Sequence, residues 1–375
     1  MRITDVQVTI IEQELSAPFW TSHNPITHVR EVVAWIHTDD GLVGVGEAKT
    51  ATPARTARVI LDGFKPFLTG SDPLETERLW ERMFSLTWDD TGHARGWSRD
   101  EVLNAIAAVD IALWDLKGKA AEMPVYQLLG GENRPQPFYS TLGYFFDDMS
   151  INEQADRLAT FVDRLGLGAV KVKIGRSVKE DIERVDEFRN ALGDEIELMA
   201  DANLGYTVDD AIQAGRHFED NGLFWYEEPV RWYDRYKGLG EVAAAVSIPL
   251  HAGESEHTRF ECRDLIVDGR VKYMSFDATV AGGVTEWLRV AYMSEINNAL
   301  MAPHCEPQIH GHLMAAVPNP SLLEVHPDEE RHPLWDHGYI DRAEVKGNTL
   351  ILPEKPGFGV EFDPDYLDRF GTKFE

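Results

Sequence analysis

Seven apolar runs in the later part of the chain end on ionisable side chains, at Lys173, Asp201, Glu227, Glu254, Asp277, His304 and Glu324. Successive ends lie 28, 26, 27, 23, 27 and 20 residues apart. Each step fits one strand, one helix and two short loops. The runs "AVKVKI", "IELMAD", "LFWYEE", "IPLHAGE", "YMSFDA", "LMAPH" and "SLLEV" read as buried strands, and "FYSTLGY" supplies an eighth ahead of them. Between most of them stand helical patterns such as "INEQADRLATFVDRLG" and "KEDIERVDEFRNALG". Alternating strands and helices imply parallel strands joined by right-handed crossovers, and eight strands favour a closed barrel over an open sheet. Ends that keep one phase all fall at the C-terminal mouth of that barrel, where barrel enzymes place their chemistry.

The first part of the chain is organised differently. "ITDVQVTIIEQEL", "REVVAWIHT" and "LVGVGEA" read as strands, the last two joined by a turn at Asp39, Asp40 and Gly41. A helix follows from about Arg99 to Ala121, opened by Ser98 with Glu101 as a capping box and stopped before Pro124. Val102, Ile106, Val109, Leu113 and Leu116 line one face of it. We therefore expect an α+β unit over residues 1–130, a barrel over 131–337, and a tail over 338–375 that returns to pack on the first unit.

Composition narrows the classes of function. A net charge of -28 opposes binding to phosphate backbones, so nucleic acid is not an expected partner. The acid excess reads as a solubilising surface, with adaptation to high salt as the alternative. No apolar run is long enough to span a membrane, and the N-terminus lacks a signal peptide's apolar stretch, so a cytoplasmic protein without a membrane partner is expected. Cys262 and Cys305 are too few for a disulfide framework and read as small buried hydrophobes.

The residue types at the strand ends divide into roles. Asp201, Glu227 and Glu254 lie on consecutive strands, so their carboxylates can converge on one hard cation, with Mg2+ the expected cofactor. Without a cation they would repel one another. Strand alternation puts Glu227 inside and turns its neighbour Glu228 to the surrounding layer. Lys173 precedes these ligands and His304 follows them, so a small carboxylate substrate held between would meet a base on each face. Lys173, beside Lys171 and a divalent metal, is expected to titrate below an ordinary lysine. Asp277 is placed to accept the Nδ1 proton of His304, and Glu324, if kept protonated, could donate to the substrate carboxylate as charge grows there. Asn203 is a candidate for holding the site or a substrate oxygen. Neighbouring strand residues point apart, which argues against pairing His304 with a Cys305 nucleophile. These parts suit removal of a weakly acidic proton next to a carboxylate.

These motifs resemble the enolase superfamily and, within it, the mandelate racemase subgroup. "KVKIG", "MADAN", "YEEP", "HAGES", "FDAT", "APHCEP" and "LLEV" carry the resemblance over nearly the whole chain. It implies an N-terminal α+β capping domain, a modified TIM barrel of (β/α)7β form, and a C-terminal segment completing the cap. It also implies Lys173 as base with Lys171 as its partner, Asp201, Glu227 and Glu254 as metal ligands, an Asp277 and His304 dyad, and Glu324 as acid. The expected reaction is dehydration of an aldonate or aldarate to a 2-keto-3-deoxy acid, by an enzyme that is a homo-oligomer. Racemisation, epimerisation or cycloisomerisation is the alternative, and a non-catalytic binding protein or a metal-dependent hydrolase are the rivals of another class. Substrate choice is expected in "FWTSHNP" and "DDTGHARGW", through Trp20, His23, His93 and Arg95.

Overall fold

The N-terminal strands β1 (Ile3–Trp20), β2 (Pro25–Thr38) and β3 (Val43–Lys49) form an antiparallel meander, and the chain's last strand, Gly371–Phe374, pairs with the free edge of β1. The computed structural model describes residues 1–327 and 331–375. The helix Arg99–Ala120 has the capping box read from Ser98 and Glu101. It is buried nearly all round rather than on one face, because β3 covers one side and the barrel helix Gly283–Ile296 the other. Close approach to β3 depends on glycine: a Cβ on Gly44 or Gly46 would sit 2.3 Å or 2.2 Å from the carbonyl oxygens of Ala112 and Ala108.

The barrel strands are β4 (Gln136–Gly143), β5 (Ala169–Lys173), β6 (Glu197–Asp201), β7 (Tyr226–Glu227), β8 (Leu250–Ala252), β9 (Tyr273–Met274), β10 (Leu300–Met301) and β11 (Leu323–Glu324). They pair in parallel in chain order from β4 to β10, and β11 returns to pair with β4. A bridge between Met301 and Pro320 closes the ring. A helix follows each strand from β4 to β10, so the strand and helix alternation read from the sequence is met and the barrel is (β/α)7β. Tyr139, Ala169, Met199, Trp225 and Ala302 fill its interior, and the larger apolar core lies between strands and helices. Among the described residues, no helix is long and apolar enough to cross a membrane.

The cap is fastened to the barrel beside one of the strand-end residues. Trp80 Nε1 donates to the Gly282 carbonyl at 2.8 Å, Asp110 accepts from the Thr285 N–H and hydroxyl, each at 2.8 Å, and Asn104 donates to the Val280 carbonyl. The Lys49 N–H, at the end of β3, donates to the Thr279 carbonyl at 3.0 Å. These bonds hold the loop that follows Asp277. The stretch "FWTSHNP" is not the open loop expected, because β1 and β2 run on to Trp20 and Pro25 and leave only Thr21 to Asn24 as a turn.

Candidate active site

The seven strand-end side chains meet at one end of the barrel. One carboxylate oxygen from each of Asp201, Glu227 and Glu254 lies within 4.8 Å of the others. Glu227 is wholly buried. Its oxygens face Lys171 Nζ at 2.7 Å, Trp225 Nε1 at 3.0 Å and His251 Nδ1 at 3.0 Å. Burial would raise its pKa, but His251 and Lys171 overcome this and hold the carboxyl well below its ordinary value. Asp201, also buried, is pushed up to about 6, chiefly by burial, against the pull of Lys173. Asn203 fastens two of the three carboxylates: its N–H donates to Asp201 Oδ1 at 2.8 Å and its Nδ2 to Glu254 Oε1 at 3.4 Å. Its own Oδ1 is buried without a partner. Three converging carboxylates, all oxygen donors, with an unpartnered amide oxygen beside them, fit a hard divalent cation.

Lys173 and His304 flank this cluster. Lys173 Nζ contacts Asp201, and His304 Nε2 lies 3.9 Å from Glu254 Oε2. His304 Nδ1 donates to Asp277 Oδ2 at 2.9 Å, while Asp277 Oδ1 accepts from the Thr279 N–H and hydroxyl, each at 2.7 Å. Burial opposes the His304 imidazolium, but the Cys305 sulfur and the Glu254 and Asp277 carboxylates raise its pKa well above the ordinary value. His310, on the helix Pro307–Met314, also supports the dyad. Its Nε2 accepts from the Ala278 N–H at 3.0 Å, so Nδ1 carries the proton and donates to the Cys305 carbonyl at 2.7 Å.

Four readings need qualifying. The protein's own charges do not make Lys173 titrate low: burial and Lys171 depress it, but the touching Asp201 carboxylate outweighs both and raises it. Glu324 is not kept protonated. Burial favours that form, yet Lys171 at 3.4 Å, His326 at 3.7 Å and a hydrogen bond from Thr141 hold the carboxyl well below its ordinary value.

Glu228 does not turn to the helix layer. It lies past the strand end with φ of 37°, and burial followed by Glu254 raises its pKa well above the ordinary value. Cys305 does not point away from His304. With φ of 49° it leaves the strand's alternation, and its sulfur comes to 3.2 Å from His304 Nε2 and 3.6 Å from both Glu324 Oε2 and His326 Nε2.

The loop candidates make no hydrogen bond or ion pair with the strand-end side chains among the described residues. Arg95 pairs with Asp62 at 3.8 Å and stacks on Trp97, all within the cap. His93 is exposed on that same short helix, Asp90–Arg95, and His23 is exposed in the turn between β1 and β2. Trp20 is 37% exposed and pairs through its backbone with Phe145. Phe19, next to it, packs on Tyr144, whose ring lies 5.9 Å from Lys173 Nζ. Trp225, two residues before Glu227 and so on the same strand face, was legible as its neighbour by period alone. Thr141, His310 and His326 carried no comparable signal.

Residues 4–130 match the family model of the mandelate racemase / muconate lactonizing enzyme N-terminal domain, and residues 153–366 match that of the enolase C-terminal domain-like family. The arabinonate dehydratase of Saccharolobus solfataricus is 31% identical over 92% of this chain and 92% of its own length. The D-galactarolactone cycloisomerase of Agrobacterium fabrum is 31% identical over 99% of each. The crystal structure of L-talarate/galactarate dehydratase from Salmonella typhimurium LT2, liganded with Mg and L-lyxarohydroxamate, superposes with a TM-score of 0.88 at 29% identity. That comparison covers 100% of this chain and 94% of the other.

Proposed function

Since the chain belongs to the mandelate racemase subgroup of the enolase superfamily, whose dehydratase and cycloisomerase members it resembles along its length, we propose that it is a magnesium-dependent acid-sugar dehydratase. The observation that carries this reading is the pair of proton-transfer groups, Lys173 and the Asp277-bound His304, on opposite flanks of three converging carboxylates. Asp201, Glu227 and Glu254 would hold the metal, with Asn203 bracing the first and last of them. Magnesium held there would offset the charge of these carboxylates, so that Asp201 would bind Lys173 less tightly, and would supply Lewis-acid stabilisation of charge growing on the substrate.

Lys173 in its amine form takes the C2 proton, and the electron pair left on C2 spreads into the adjacent carboxylate. His304, which its neighbours keep protonated, gives the Nε2 proton to the departing C3 hydroxyl, which leaves as water. The resulting enol tautomerises to the 2-keto-3-deoxy acid. Asp277 keeps Nδ1 protonated, so that Nε2 is the nitrogen that exchanges a proton with substrate. Lys171 braces Glu227 and faces Glu324. A substrate carboxylate brought beside Glu324 would raise its pKa by like-charge repulsion and make it a donor.

The test is proton NMR of the Mg2+-loaded enzyme with a panel of aldonic and aldaric acids. Loss of the C2 proton with new C3 methylene signals supports dehydration. C2 exchange in D2O without those signals replaces dehydration by racemisation, epimerisation or cycloisomerisation.

A further inference from the structure

Arg331 lies in the segment after β11, at the same mouth of the barrel as the strand-end residues. Its Nε donates to the Tyr144 hydroxyl at 2.6 Å, and its guanidinium covers the Phe19 ring at 4.2 Å. Neither terminal nitrogen has a hydrogen-bond partner, nor the side chain a carboxylate partner, among the described residues. The Tyr144 ring neighbours both this cation and the base: its centroid is 5.3 Å from the Arg331 guanidinium carbon and 5.9 Å from Lys173 Nζ. The two cations are thus no more than about 11 Å apart. A five- or six-carbon chain with bonds of about 1.5 Å, ending in hydrogen bonds of about 2.8 Å, spans a gap of that order.

A second cation, Lys49, enters from the cap. Its Nζ lies 3.8 Å from Glu306 Oε1, which is also 3.5 Å from His332 Nε2. Glu31 and Glu47 are close by, but burial and repulsion from Glu306 raise both, Glu47 to about 8, so they add little negative charge at neutral pH. Glu306 balances one of the two cations, and among the described residues Arg331 touches no carboxylate, Glu324 acting on it only at a distance. His326, facing Glu324, has a buried Nδ1 with no partner. A planar fork whose terminal donors meet no partner among the described residues, set against aromatic walls, is the arrangement that grips a carboxylate in two-point fashion.

We propose that Arg331, supported by Lys49, holds a second carboxylate at the far end of the substrate, so that the protein selects dicarboxylic sugar acids over monocarboxylic ones. This rests on the acid-sugar reading above, and its test separates the two. Isothermal titration of the Mg2+-loaded His304→Asn protein compares a six-carbon aldarate with the aldonate of the same configuration. The expected result is that the diacid binds at least about tenfold more tightly, and that adding Arg331→Met brings the ratio to near one. Arg331→Lys, which keeps the charge and loses the fork, retains part of the preference. Equal affinities, a preference that Arg331→Met does not move, or no binding of either acid would overturn the proposal. The C2 exchange of both acids by the unmodified enzyme is read separately. A diacid preference without exchange would remove the reaction and leave the subsite standing.

Discussion

Replacing Asp277 by Asn tests the His304 dyad through a single proton. In the protein, Thr279 sends two donors to Asp277 Oδ1, at 2.7 Å each, while Oδ2 accepts from His304 Nδ1 at 2.9 Å. An asparagine here must place its carbonyl oxygen towards the Thr279 donors, which turns its NH2 towards His304. Nδ1 then becomes an acceptor, and the proton moves to Nε2. A neutral imidazole with Nε2–H can neither accept a proton from C2 nor donate one readily to a leaving hydroxyl. General acid and base assistance is worth about 10² to 10⁴ in rate, so kcat should fall by that factor, about 3 to 5 kcal/mol in the barrier. The pKa of His304 should fall as well, because the carboxylate that favours the imidazolium is gone. Turnover followed by NMR, with the His304 titration read from its ring protons and folding checked by circular dichroism, measures both effects. A folded variant that keeps a tenth or more of wild-type kcat would refute the reasoning.

Three further outcomes follow from the structure. Glu227→Gln should weaken Mg2+ binding sharply in a calorimetric titration, whereas Glu228→Gln should weaken it little, because burial and Glu254 already favour the uncharged form of Glu228; the reverse order would contradict the site's geometry. Gly46→Ala should lower thermal stability by about 1 to 3 kcal/mol, since its Cβ would press on the Ala108 carbonyl at 2.2 Å and the Ala112 nitrogen at 2.4 Å, and an unchanged melting temperature would count against that packing. Asp110 is raised to about 7, chiefly by burial. A group raised in the folded state stabilises below its unfolded pKa, and that contribution is lost as pH climbs through the folded value. Asp110→Asn should therefore gain stability relative to wild type as pH climbs from about 4 to above 7, and a difference that stays flat with pH would exclude a buried, proton-holding Asp110.

The barrel and its ring of functional side chains were legible because an ionisable residue at the end of an apolar strand is conspicuous. Its recurrence also measures the strand and helix unit. Period-two alternation served as far as the strands ran, as at Lys171 and Lys173 or Trp225 and Glu227. It failed beyond the strand ends. Asn203, Glu228, Cys305 and Glu306 all adopt positive φ just beyond strands, and this swings their side chains back towards the mouth. Only asparagine among them has a composition that hints at such a conformation. Cys305 therefore stands beside His304, although extended geometry would separate them.

Residues brought in by docking were harder still. Lys49 ends a cap strand and Arg331 follows the last barrel strand, and nothing local in either segment marks a partner far along the chain. Arg95, an arginine in a promising loop, pairs with Asp62 within the cap. The titration of Lys173 and Glu324 depends on which opposite charge sits closest, which is a matter of ångströms and not of residue order.

The most direct test of the account is the rate of C2 proton exchange into D2O with the acid sugar that the wild-type enzyme consumes, measured for wild type, Lys173→Ala and His304→Asn side by side. Lys173→Ala should abolish exchange, because the base is gone, and His304→Asn should abolish formation of the 2-keto-3-deoxy product. Exchange at the wild-type rate in Lys173→Ala, or full product formation in His304→Asn, would contradict these roles.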